Sequence, residues 1–189
     1  MNEAVAQPLL IAVDLQPAFL AAMPGGERTL RRAAFAIAAA AGLGLPVAFT
    51  EQVPAKLGPT APTLLALAPS APVFGKDSFS ALADEAVRAE LIDRRQVSHL
   101  LLCGIETPVC IYQTALDAVR AGVEVTLLAD AVGARRADDA ATCLEALKAA
   151  GVHVLPSETV FYALLGSARH PFFRDYTKLV KSHADPASN

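Results

Sequence analysis

The chain of 189 residues has no tryptophan, and only 6% of its residues are aromatic. Cysteine is scarce: Cys103, Cys110 and Cys143 are too few and too unevenly placed for a disulfide framework, and no CxxC or Cys/His zinc spacing occurs. That usage points to a reducing compartment, and the cytoplasm is the expected location. Net charge is −3 and no basic run of five or more residues occurs, which argues against nucleic acid as a partner. No uninterrupted apolar stretch approaches the roughly 18 residues of a membrane span, so no membrane association is expected. Ala33–Leu45 comes nearest, but it follows Arg31 and Arg32 and ends in Gly42, Gly44 and Pro46, as a buried helix would. The opening MNEAVAQPLLIAVDLQ lacks a basic n-region and meets Asp14 after a short apolar run, unlike a signal peptide. A phosphate-binding glycine loop is missing too, since the first apolar run leads into LQPAF. None of the four histidines (His99, His153, His170, His183) falls where the chemistry gathers, and neither metal nor cofactor is expected.

What the chain has is apolar residues, 53% against 19% charged, enough for a sizeable core in one domain over 1–189 with residues 184–189 frayed. Short apolar runs at Pro8–Asp14, Val47–Thr50, Val73–Lys76, Ser98–Gly104, Glu124–Ala131 and Val152–Leu155 read as strands buried on both faces. Helical patterns fall at Glu27–Leu43, Ser80–Arg94, Thr107–Ala121, Ala137–Ala150, Ser157–Leu165 and His170–Ser182, with a turn at Thr63–Leu67. Leu15–Gly26 and Glu51–Pro62 read as loops. The alternation predicts an α/β fold of three layers, α/β/α and Rossmann-like, around a six-stranded parallel sheet.

In such sheets ligands bind beyond the carboxyl ends of the strands. Asp14, the Glu51–Gln52 segment, Lys76 and the turn Gly104–Cys110 all lie at predicted strand ends, so groups far apart in sequence converge on one edge. Cys110 lies in the first turn of the helix expected over Thr107–Ala121. Thr107 suits the N-cap and Pro108 the first helical position, and N–H groups without intrahelical partners surround the third. The helix dipole there favours a thiolate, the reactive form. Free cysteines are often inert core residues, and Cys103 inside a strand and Cys143 within a helix fit that description. Cys110 stands instead at a loop-to-helix junction, with Asp14 available as base and Lys76 as cation. If Thr107 caps through the N–H of Cys110, that N–H is partly occupied as an oxyanion donor; capping through Val109 leaves it free.

The segments LLIAVDLQPAF, FGKDSFSAL, LLLCGIETPVCIYQTALDAVRAG and LLADAVGAR occur in an order that resembles the isochorismatase-like cysteine hydrolases, which include nicotinamidases. FTEQVPAKLGPT and GIETPVC are most similar to the isochorismatase-domain-containing subgroup. The resemblance implies a catalytic triad of Asp14, Lys76 and Cys110. It also implies a cis peptide bond at Ile105–Glu106 that aims the N–H of Glu106, with that of Cys110, at an oxyanion. A homodimer or larger homo-oligomer is implied as well. Nicotinamidases carry an Asp/His metal cluster after the second strand, where this chain has Glu51, Gln52 and no histidine, and that argues against nicotinamide as substrate. Isochorismatases cleave a vinyl ether and commonly lack the cysteine; its presence here favours attack on a carbonyl.

The expectation is therefore hydrolysis of a C–N bond, an amide of a small molecule, through a thioester on Cys110. Phe19, Gln52, Phe79 and Thr107 are the expected substrate-binding residues. The alternatives are a non-catalytic binding or scaffold protein and a redox-sensing thiol on the same fold.

Overall fold

The computed structural model describes residues 8–184, so the tail expected to fray lies outside the described residues from 185 onward. Six strands form one all-parallel sheet: β1 Pro8–Val13, β2 Val47–Gln52, β3 Val73–Lys76, β4 His99–Ile105, β5 Glu124–Gly133 and β6 His153–Leu155. Their order is β3-β2-β1-β4-β5-β6. The chain works outward from β1 to one edge, returns to the centre at β4, and works outward to the other edge. The switch point between β1 and β4 is where such sheets open a crevice. Asp14 follows one of these strands and Glu106–Cys110 follow the other.

The helices are α1 Pro17–Ala21, α2 Gly26–Gly42, α3 Pro54–Leu57, α4 Pro62–Leu65, α5 Glu85–Arg88, α6 Tyr112–Arg120, α7 Ala137–Ala149, α8 Ser157–Leu165 and α9 Phe173–Ser182. They cover both sheet faces. Leu9, Ile11 and Val13 of β1 pack into one core with Leu100, Leu102, Ala115 and Leu147. Leu10 and Ala12, one residue out of phase, pack into the other with Phe35, Phe161 and Tyr176. Burial on both faces is why the strand reads as a continuous apolar run rather than an alternating one. On α2, Ala33, Ala36, Ile37 and Ala40 recur at helical spacing and are fully buried against the sheet. Arg32 enters the same region, where its guanidinium meets Asp130 of β5 and Ser157 of α8, tying those elements to α2. No helix among the described residues is long and apolar enough to cross a membrane.

Several boundaries differ from the sequence expectation. Leu15–Gly26 contains α1, with Pro17 at its first position. Strand β2 continues through Glu51 and Gln52, which were expected in a loop. The helix expected from Ser80 starts only after Asp84, whose carboxylate caps the N–H groups of Ala86 and Val87 at 2.8 and 3.0 Å. It ends in a π-helical turn, Ala89–Asp93. The residues before it are drawn elsewhere, since the carbonyls of Ser78 and Phe79 accept from Lys76 Nζ. The β4–β5 register shifts between Leu102 and Gly104, so Gly104 and Ile105 pair with Val132 and Gly133, and β5 extends beyond Ala131. At the switch point β1 and β4 lie so close that a Cβ on Gly104 would sit 2.1 Å from the Val13 carbonyl oxygen; Gly104 also has φ +121°.

Candidate active site

Asp14 ends β1 with φ 53°, a left-handed conformation that its short polar side chain tolerates better than most. The chain turns there, and the Gln16 N–H closes the turn on the Asp14 carbonyl at 2.8 Å. One carboxylate oxygen of Asp14 accepts from the Thr50 hydroxyl at 2.8 Å, the other from Lys76 Nζ at 2.7 Å. Both side chains of this pair are only 1% exposed, so the ion pair is fully desolvated. Lys76 Nζ also donates to Gln52 Oε1 at 2.6 Å, while the Gln52 amide donates to the Asp77 carbonyl at 2.9 Å. Gln16 holds the end of β2: its Oε1 accepts from the Gln52 N–H at 2.7 Å, and its Nε2 donates to the Gln52 and Gly58 carbonyls.

Cys110 lies in a π-helical turn, Thr107–Ile111, that opens α6. Its thiol donates to Gln52 Oε1 at 3.8 Å, with the Asp14 carboxylate close enough to act on it. The Ile105–Glu106 peptide bond is cis, and the Glu106 N–H hydrogen-bonds to the Cys110 sulfur. These groups face a cavity of about 360 Å³, within the usual range for small-molecule sites. Its apolar walls are Phe19, Ala22, Met23, Phe79, Ile105 and Val109, and its polar lining is Asp14, Gln52, Glu106, Cys110 and Arg135. Lys76 sits behind the lining, against Asp14.

The strand-end residues Asp14, Gln52, Lys76, Glu106 and Cys110 thus meet around one cavity, with Phe19 and Phe79 on its walls. Thr107 has a different place. No side chain caps the helix, and the Thr107 hydroxyl donates to the Gly133 carbonyl at 3.0 Å, joining the ends of β4 and β5. It is not part of the lining, and the Cys110 N–H is not taken up by it. Glu51 also turns away: its carboxylate accepts from the Thr60 N–H at 2.6 Å. Among the described residues no group of three or more His, Cys, Asp or Glu side chains could hold a metal ion.

Sequence reasoning missed Arg135, Met23 and Thr50. Arg135 stands two residues beyond β5, so the strand-end rule finds it once β5 is extended to Gly133. Thr50 is next to Asp14 because β2 adjoins β1, and strand order is not written in the sequence.

Burial and charge at the site run against the expected resting thiolate. Burial pushes the Cys110 thiol up to about 12, and the Asp14 carboxylate pushes the same way; Lys76 and the Glu106 N–H pull it down by less. Lys76 cannot offset this because its charge is already committed to Asp14. The consequence is measurable. Below its raised pKa the group is a neutral thiol, so the thiolate is a minor species at pH 8. Iodoacetamide should modify Cys110 more slowly than it modifies glutathione, with a rate still climbing about tenfold per pH unit between pH 8 and 10. A plateau near pH 8.5, read by mass spectrometry of the Cys110 peptide, would contradict this.

Residues 8–159 match the family model described as isochorismatase domain. Isochorismatase domain-containing protein 2 of Bos taurus is 41% identical over 141 residues, which are 74% of this chain; the chain spans 66% of that relative's length. The solved structure of MAR1 ribonuclease from Caenorhabditis elegans has a TM-score of 0.88 at 31% identity, covering 97% of this chain and 95% of that one. The YcaC gene product of Escherichia coli, described as an octameric hydrolase of unknown specificity, has a TM-score of 0.82 at 21% identity over 97% of this chain and 98% of its own, and shares the fold. With a family match running from β1 into α8 and the six-stranded parallel sheet to go with it, the chain belongs to the isochorismatase family of hydrolases.

Proposed function

We infer that this hydrolase cleaves the C–N bond of a small amide through a thioester on Cys110. The observation that carries the reading is the position of the Asp14 carboxylate. It is held by Lys76 at 2.7 Å and lies beside the Cys110 thiol, with both Asp14 and Cys110 in the lining of a largely apolar cavity. With the thiol neutral at rest, the proton moves to Asp14 as the sulfur attacks. The S–C bond forms, and the carbonyl electron pair moves to oxygen. The N–H groups of Glu106 and Cys110 are the donors for that oxyanion. Collapse breaks the C–N bond, and Asp14 gives its proton to the leaving nitrogen. Water, deprotonated by Asp14, then attacks the thioester; the C–S bond breaks, the acid leaves and the thiol is restored. Lys76 keeps Asp14 in place throughout and offsets its charge.

A redox-sensing thiol is poorly supported. Cys103 is fully buried and packs into the core on the opposite face of the sheet from Cys110. Assembly as a homodimer or larger belongs to the same reading, the Escherichia coli fold relative being described as octameric.

The test is a screen of small primary amides with wild type and Cys110→Ala, quenched in acid and read by intact mass spectrometry. The expected result is ammonia release by wild type only, with an acyl mass added to the Cys110 peptide. Turnover retained by Cys110→Ala would overturn the reading, as would RNA cleavage in place of amide hydrolysis.

A further inference from the structure

Apart from the catalytic groups, the cavity has one charged feature, on its rim. The Arg135 Nε donates to both carboxylate oxygens of Glu106 at 3.2 and 3.0 Å, and the Arg135 backbone N–H adds a third bond at 3.1 Å. Glu106 is the more enclosed partner, with 18% of its side chain exposed against 65% for Arg135. An arginine at the mouth of a small-molecule site is ordinarily a carboxylate receptor, since its planar fork matches a carboxylate. Here its Nε and backbone N–H already hold a carboxylate supplied by the chain itself, which neutralises the arginine.

The other charges facing the cavity cancel as well. Asp14 is matched by Lys76 behind it, and Gln52 is neutral. What remains for the acyl part of a substrate is the wall of Phe19, Met23, Phe79, Ile105 and Val109. A substrate carrying its own carboxylate would either displace Glu106 from Arg135 Nε and leave the Glu106 charge partly buried, or set a second negative charge beside it on one shared arginine. Leaving a buried charge unpaired is costly, and such a penalty discriminates more sharply than apolar contact does.

We propose that Glu106 is a specificity-determining residue: by occupying Arg135 it restricts the site to neutral substrates with an apolar acyl group and excludes those bearing a carboxylate. Glu106 thus acts twice, through its backbone near the sulfur and through its side chain at the rim. The proposal rests on the amidase reading for the word substrate, but the charge selection does not, because any reagent that reaches Cys110 must pass the same rim.

Two alkylating agents of similar size and opposite character separate the questions. Iodoacetamide is neutral and iodoacetate carries a carboxylate. Their rates at Cys110 are compared at pH 9 by mass spectrometry of the Cys110 peptide, each normalised to glutathione. In wild type the normalised preference for iodoacetamide is expected to exceed tenfold. In Glu106→Gln, which frees the Arg135 charge, the preference should shift at least tenfold toward iodoacetate. In Arg135→Gln, which leaves the Glu106 charge unpaired, it should shift further toward iodoacetamide. The last variant changes an exposed side chain, and a melting temperature close to wild type checks that it folds despite the unpaired Glu106. A preference that stays within twofold of wild type in both variants would overturn the proposal. Loss of amide turnover with the expected alkylation pattern would instead count against the amidase reading alone. Where amides are turned over, kcat/KM for butanamide against succinic acid monoamide should follow the same order across the three proteins.

Discussion

Lys76→Met should lose about 3–5 kcal/mol of folding stability, the range for removing one partner of a fully buried ion pair. The Asp14–Lys76 pair has 1% side-chain exposure on both members, so water cannot take over the lost contact. Methionine fills similar space, and the loss is therefore electrostatic rather than a cavity effect. Asp14 would keep the neutral Thr50 hydroxyl as a donor, with no cation left beside it. Gln52 Oε1 and the carbonyls of Ser78 and Phe79 would lose their shared donor at the same time, loosening the segment that precedes α5. For a chain of this length the loss corresponds to a melting temperature lower by roughly 6–20 °C. The double variant Asp14→Asn/Lys76→Met should recover a large part of it, because no uncompensated charge remains. If the single and double variants melt together, or the single variant melts within about 2 °C of wild type, desolvation of this pair does not govern the site's stability.

The fold was legible because its strands are short and buried on both faces. Leu9–Val13 and Leu100–Cys103 are runs that a two-sided core requires and that an amphipathic helix would not show. Strand ends then located chemistry without any knowledge of side-chain geometry. Asp14, Gln52, Lys76 and Cys110 lie far apart in sequence and meet because parallel strands all deliver their ends to one edge. Glu106 came from a family resemblance, not from spacing.

What stayed illegible depends on contacts across the sheet. The start of α5 is one case: Ser78–Ala83 carry helical propensity, yet the carbonyls of Ser78 and Phe79 are drawn to Lys76. Thr107 is another. As a local residue before Pro108 it is a good cap, but the β4–β5 register brings the Gly133 carbonyl within 3.0 Å of its hydroxyl. The protonation of Cys110 is the third. Its position near a helix start argued for a thiolate, and that local effect is outweighed by burial and by a carboxylate 96 positions away in sequence (110 − 14).

That outcome shapes the remaining large effect, the loss of turnover in Cys110→Ser. Serine keeps a proton for Asp14 and fits where the thiol sits, so binding groups and fold should survive. The melting temperature should stay within about 4 °C of wild type, since one buried hydrogen-bonding group replaces another at a cost on the order of 1 kcal/mol. Turnover should nevertheless fall by on the order of 10⁴-fold or more, the scale seen when a nucleophile is removed from a triad. A site with a thiolate ready at rest would lose mainly nucleophilicity on this change. A site whose sulfur is neutral at rest relies on Asp14 to take the proton during attack, and a hydroxyl is a much weaker acid than a thiol. Wild-type kcat should therefore show no rise that follows the alkaline ionisation of free Cys110, while its alkylation rate keeps rising with pH. If kcat and the alkylation rate climb in parallel from pH 8 to 10, the resting thiolate is the reacting species and Asp14 is not its base.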